Sequence, residues 1–128
     1  MHHPKVEEVV RRDPRYTLEA YEFVYAALSH TQDMLGFANK GTEEHHVTGP
    51  QLLTGARDLA LREYGLMARA VFRMWGINQT DDFGEIVFNL IEAGLMSKTP
   101  EDERQHFHAI FDLDRALTQD YRIEVPTE

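Results

Sequence analysis

Apolar residues return every three or four positions along three long stretches of this chain, residues 18–35, 51–75 and 82–94, and helix-starting or helix-stopping residues separate them. A shorter stretch precedes these. Pro4 suits a first helical turn, Val6, Val9 and Val10 share a face, and Glu7 and Glu8 early with Arg11 and Arg12 late match the helix dipole. Asp13-Pro14 ends that helix, because the residue before a proline is pushed out of the helical region. Thr17 is placed to cap the next helix, in which Tyr21, Val24, Tyr25, Leu28 and Leu35 form a stripe widened by Phe23, Ala26 and Ala27. From Gly36 to Gly49 the periodicity is lost among Asn39, Gly41 and the polar run Thr42 to His46, which predicts a loop. Thr48-Gly49-Pro50-Gln51 then has the spacing of a capping box. Beyond it Leu53, Ala56, Ala60, Tyr64, Met67, Val71 and Met74 hold one register through Gly65, predicting a single long helix to Trp75 with at most a kink at the glycine.

Gly76 is the expected stop of that helix and Thr80 the expected cap of the following one, whose first turn gathers Asp81, Asp82 and Glu85 where the dipole favours acid. Phe83, Ile86, Val87, Leu90 and Ile91 form its apolar stripe, and Gly94 closes it. Helix, short turn and capped amphipathic helix make the outline of a helix-turn-helix unit. Farther on, Thr99-Pro100-Glu101-Asp102 predicts another helix start, Asp112 caps a last short helix through Leu117, and Tyr121 to Val125 form a short strand or an extended tail. The expected architecture is mainly α: a single compact domain over residues 1–128, of about five or six helices with a helix-turn-helix-like unit, open to a winged-helix-like variant with a minor C-terminal strand.

Composition narrows the function classes. The chain has 128 residues, 42% of them hydrophobic, and no cysteine, so disulfides and thiolate metal sites are excluded. It lacks the roughly 18 consecutive apolar residues of a membrane span, and Met1-His2-His3-Pro4-Lys5 leads into charged residues and not into a signal peptide; the cytoplasm is the expected location. The net charge of −9 is uneven: residues 1–75 hold nine Lys/Arg against ten Asp/Glu, whereas residues 76–128 hold four against twelve. An acidic surface of that kind repels the phosphates of nucleic acids.

The blocks Arg12-Asp13-Pro14-Arg15-Tyr16, His46-Val47-Thr48-Gly49-Pro50-Gln51-Leu52-Leu53, Tyr64-Gly65-Leu66-Met67-Ala68-Arg69, Trp75-Gly76-Ile77 and Thr80 through Leu90 together resemble a family of short bacterial proteins of unknown function. The resemblance spans nearly the whole chain. It implies no activity, cofactor or site residue.

Four constellations carry candidate chemistry. Asn89 to Met96 followed by Pro100 to Arg104 resembles the recognition helix and wing of marR-like regulators, with His106 to Phe111 alternating as a strand would. The Thr99 cap argues for helix where a wing belongs, however, and Asp81, Asp82, Glu85 and Glu92 occupy a face that base reading would fill with Arg, Lys, Asn or Gln. Glu43 with His46 and Glu103 with His106 have the Glu-x-x-His spacing of di-metal bundles, and His108 adds a third imidazole, so a divalent metal and metal-dependent chemistry form an alternative. Arg62, Arg69 and Arg73, with Arg57 nearby, form a basic stripe on the long helix that either pairs internally with Asp58, Glu63 or the acidic C-terminal helices, or binds an acidic partner. Lastly, Tyr21, Tyr25, Phe72, Trp75 and Phe88 exceed what the stripes need, and Phe72 and Phe88 lie off the stripes of their helices, where they either complete a buried helix or anchor an interface. With no nucleophile motif and no phosphate loop, the function expected is a small cytosolic, non-enzymatic module that binds another protein, or itself as a homo-oligomer, through Arg62, Arg69, Arg73, Phe72, Trp75 and Phe88. The alternatives are the metal reading and a winged-helix-like nucleic-acid regulator; no membrane partner is expected.

Overall fold

The computed structural model describes residues 4–36 and 47–95, together with Asp112, Leu113 and Leu117. Among these residues there is no strand. The elements are α1 (Pro4–Arg12), α2 (Leu18–Met34), α3 (Gly49–Tyr64), a 3-10 turn (Gly65–Met67), α4 (Ala68–Trp75) and α5 (Thr80–Glu92). The expected helix start at Thr99, the wing over residues 100–111 and the strand at Tyr121 to Val125 lie outside the described residues. Leu113 and Leu117, from the expected last helix, are helical and buried in the core.

Helix ends follow the local chemistry. Thr17 accepts a hydrogen bond from the Ala20 amide at 3.3 Å and starts α2. Thr48 and Gln51 bond each other's backbone amides reciprocally at 3.2 and 3.0 Å and start α3. At α5 the acid and not Thr80 does the capping: Asp82 Oδ2 accepts from the backbone amides of Asn78 at 2.8 Å and Gln79 at 3.1 Å, and Thr80 is the first helical residue, fully buried.

One core holds the molecule together, with α2 packed chiefly on α3 and also on α1, α4 and α5. The two helices approach closely at Thr31 and Gly55, where a Cβ on the glycine would stand 1.8 Å from the Thr31 hydroxyl oxygen. Thr31 is buried there because its hydroxyl donates to the Ala27 carbonyl at 2.6 Å, while Ala26 and Leu35, expected on the buried stripe, are exposed.

The long helix expected over residues 51–75 is two helices. Gly65 adopts φ 54 and ψ −130, which ends α3, and the tighter 3-10 turn that follows rotates the rest of the chain out of register. Ala68 and Phe72 then face the core, the latter 1% exposed, whereas Met67 and Met74 stand 62% and 75% exposed. The continuous register read through Gly65 is therefore wrong beyond that residue. No described helix is long and apolar enough to cross a membrane.

Candidate functional site

The rotation at Gly65 gives α4 two unlike faces. Its inner face enters an aromatic cluster: the Phe72 ring lies 5.3 Å from Phe23, 5.9 Å from Trp75 and 5.5 Å from Phe83, and Tyr64 meets Trp75 edge-on at 5.8 Å. Aromatic pairs at these separations add to the burial itself and fasten the inner face of α4 to the core. The outer face carries Met74 and half-buried Ala70, and the 3-10 turn just before the helix adds Met67 and Leu66, the latter 59% exposed. Large apolar side chains left in water on a well-anchored helix are the usual mark of a contact surface.

The arginine stripe does not survive as one surface. Arg69 is only 9% exposed and donates from Nη1 to the Ile77 carbonyl at 3.2 Å, so it braces the turn between α4 and α5. Arg62 is exposed and pairs through Nε with Asp58 at 2.7 Å, and Asp58 also meets His30 Nε2 at 2.8 Å. Burial pushes the Asp58 carboxyl up, but the hydrogen bonds and positive charge of His30 and Arg62 outweigh it and hold the group below the usual carboxylate range. Arg73 is exposed on α4, and Arg57, Arg69 and Arg73 each have further interaction partners within the protein. Of the aromatic candidates, Phe72 is core, while Trp75 and Phe88 are half-buried at its rim. Phe72 and Arg69 are therefore too buried to serve as contact residues. The metal candidates Glu43, His46, Glu103, His106 and His108 lie outside the described residues, and no group of three potential ligands occurs among the described ones.

A second region, missed in the sequence, joins the turn after α1 to α5. Arg15 forks onto Asp13 through Nε at 2.8 Å and Nη2 at 2.7 Å, and Nη2 also reaches Glu85 at 3.4 Å. Asn89 Nδ2 donates to Asp13 at 2.8 Å and to the Tyr21 hydroxyl at 2.9 Å, and Tyr16 donates its hydroxyl proton to Asp82 at 2.6 Å. The Arg15 guanidinium holds the Asp13 carboxyl well below the usual carboxylate range, and Asn89 adds to the effect. Burial, and then the Asp82 charge, push the Tyr16 hydroxyl well above its ordinary value. An open cleft of about 220 Å³ lies alongside, lined by Val9, Arg12, Asp13, Asn89 and Glu92. Both oxygens of Asp13 are already engaged by Arg15 and Asn89, so this network fastens elements together and does not hold a reactive group. Asp13-Pro14 read as a helix stop gave only half of this role; the other half depends on Asn89, a long way off in sequence.

No protein-family model, no curated protein and no solved structure matches the chain.

Proposed function

We propose that this protein is a small, non-enzymatic, cytosolic interaction module that docks another protein on the outer face of α4 and the turn before it. The observation that carries the reading is the exposure of Leu66 and Met67 on the 3-10 turn and of Met74 on α4, the helix that follows, whose opposite face packs into the aromatic core. Methionine adds to the case, since its flexible, polarisable side chain suits an adaptable contact surface. Arg62 is exposed and Trp75 half-buried, so part of the arginine and aromatic set expected from the sequence remains at the surface.

In this reading α4, its turn and α5 act as a helix-turn-helix-like unit turned to protein contact. The acids of α5 support that choice over nucleic acid, because Asp82 and Glu85 are engaged with Tyr16, Arg15 and the backbone of the turn, and they bring negative charge to where phosphates would lie. The test is an affinity capture from native lysate with the wild-type chain and with the double variant Met67→Glu/Met74→Glu, after circular dichroism shows that both fold alike. A protein captured in near-equal amount by the wild type and lost with the variant is the expected result. Retention of every captured partner by the variant overturns the proposal.

A further inference from the structure

The network joining Asp13 and Asn89 borders a cleft whose free hydrogen-bonding groups are of two opposite kinds. The C-terminal ends of α1 and α5 meet there, enclosing about 220 Å³ between Val9, Arg12 and Asp13 on one side and Asn89 and Glu92 on the other. Asn89 uses both amide protons, on Asp13 at 2.8 Å and on the Tyr21 hydroxyl at 2.9 Å. Only its side-chain oxygen is left for a ligand, and among the described residues that oxygen is neither bonded nor buried. Both Asp13 oxygens are engaged by Arg15 and Asn89. Arg12 and Glu92 are exposed and form no ion pair or hydrogen bond among the described residues, either with each other or with a neighbour. The cleft thus offers a ligand one cationic donor, Arg12, and two acceptors, Glu92 and the Asn89 oxygen.

We infer that this cleft is a binding site for a small zwitterion of the free α-amino acid class, with its carboxylate on Arg12 and its ammonium on Glu92 and the Asn89 oxygen. A guanidinium meets a carboxylate with two parallel N–H bonds, and an ammonium carries three donors for the acceptors opposite. The two helix C-termini add partial negative charge, which also favours the ammonium. Ligands of one charge fit less well. A bare metal ion would find one uncommitted carboxylate, Glu92, and the repulsion of Arg12, whereas a simple anion would find Arg12 and the repulsion of Glu92. Size and polarity narrow the class further. The volume of about 220 Å³ lies below the roughly 300–1,000 Å³ of a pocket for a drug-sized ligand, and the one apolar lining residue, Val9, is 1% exposed, so a small or polar side chain suits the cleft better than a large apolar one. With Asp13 engaged, the ligand is held and not converted. The site uses no residue of the α4 face, so it stands or falls apart from the docking reading.

The experiment follows thermal unfolding of the full chain by circular dichroism with each common amino acid in turn at about 10 mM, because a ligand of the folded state raises its stability by mass action. At about ten times its Kd, a bound amino acid should raise the unfolding temperature by about 4–6 °C. Its analogues lacking the amino or the carboxyl group, which for alanine are propionate and ethylamine, should give no shift at the same concentration. Arg12→Gln and Glu92→Gln, both at exposed positions, should each weaken binding at least about tenfold and cut the shift to about 1–2 °C. Arg11→Gln, an equal change of charge one residue away at an exposed position outside the cleft, should leave the shift unchanged. No shift with any amino acid would overturn the inference, as would equal shifts from the single-charge analogues, which would leave an adventitious ion only. A shift that survives both Arg12→Gln and Glu92→Gln, or that falls equally in Arg11→Gln, would also overturn it, because the ligand would then sit elsewhere.

Discussion

Gly76 is the residue on which the turn between α4 and α5 depends, and alanine there should be among the most damaging single substitutions in the chain. Its φ of 94 lies in the left-handed region, its amide bonds the Arg73 carbonyl at 3.2 Å, and the next amide, of Ile77, bonds the Phe72 carbonyl at 2.8 Å, the paired closure of a Schellman motif. The turn after α1 lies directly on it. A Cβ at position 76 would stand 2.0 Å from the Arg15 carbonyl oxygen, and that backbone is pinned nearby by the Thr17 amide donating to the Trp75 carbonyl at 3.2 Å. No side-chain rotation relieves a clash with a backbone atom. Gly94 supplies the control, because its φ of 78 is equally left-handed but nothing lies within 4 Å of its would-be Cβ. Gly94→Ala should therefore cost only the conformational penalty, about 1 kcal/mol. Gly76→Ala should cost that plus about 1–3 kcal/mol of overpacking, a total of about 2–4 kcal/mol. With a urea m-value of about 2 kcal/mol/M, the unfolding midpoint followed by circular dichroism should fall by about 0.5 M for Gly94→Ala and by about 1–2 M for Gly76→Ala. Equal shifts for the two variants would refute the close approach of the two turns.

Three further outcomes follow from the same contacts. Arg69→Met should destabilise by about 1–3 kcal/mol, because it strands the Ile77 carbonyl in the interior, whereas Arg62→Met should cost less than about 1 kcal/mol; equal effects in urea titration would show that the arginines form one surface stripe after all. Tyr16 has a raised folded-state pKa, so its contribution to stability is present below the unfolded value near 10 and is lost as pH rises through the folded value; Tyr16→Phe should start less stable and show a flatter loss of unfolding free energy above about pH 10. Asp13 has a lowered pKa, so its contribution is present above the unfolded value near 4 and is lost as pH falls below it; Asp13→Asn should be less stable at neutral pH and show a shallower acid limb in pH-dependent thermal melts.

The parts of this fold that were legible in the sequence are those decided within one turn of chain. Thr17, the Thr48-Gln51 box and Gly76 act through bonds to residues three or four positions away, so the residue types alone locate the helix ends. Tertiary bonds leave no such mark. Nothing near Tyr16 announces Asp82, nothing near Asp13 announces Asn89, and Arg69 reads as a surface residue because arginine is seldom buried; its place is set by the Ile77 carbonyl across a turn. The largest departure, at residues 66–74, has a single cause. Side-chain direction advances about 100° per residue only while the helix is unbroken, and the 3-10 turn at Gly65 resets the count for everything after it. Phe72, which lies off the extrapolated stripe, is carried into the core, and Met67 and Met74, which lie on it, are carried out to solvent. Had the helix run on as its periodicity suggests, both methionines would be core residues and α4 would have no apolar outer face. The break that hides this apolar face from the sequence pattern is thus what creates it, and a variant that restored a continuous helix across Gly65 would be expected to bury it and, on the proposed reading, to abolish docking there.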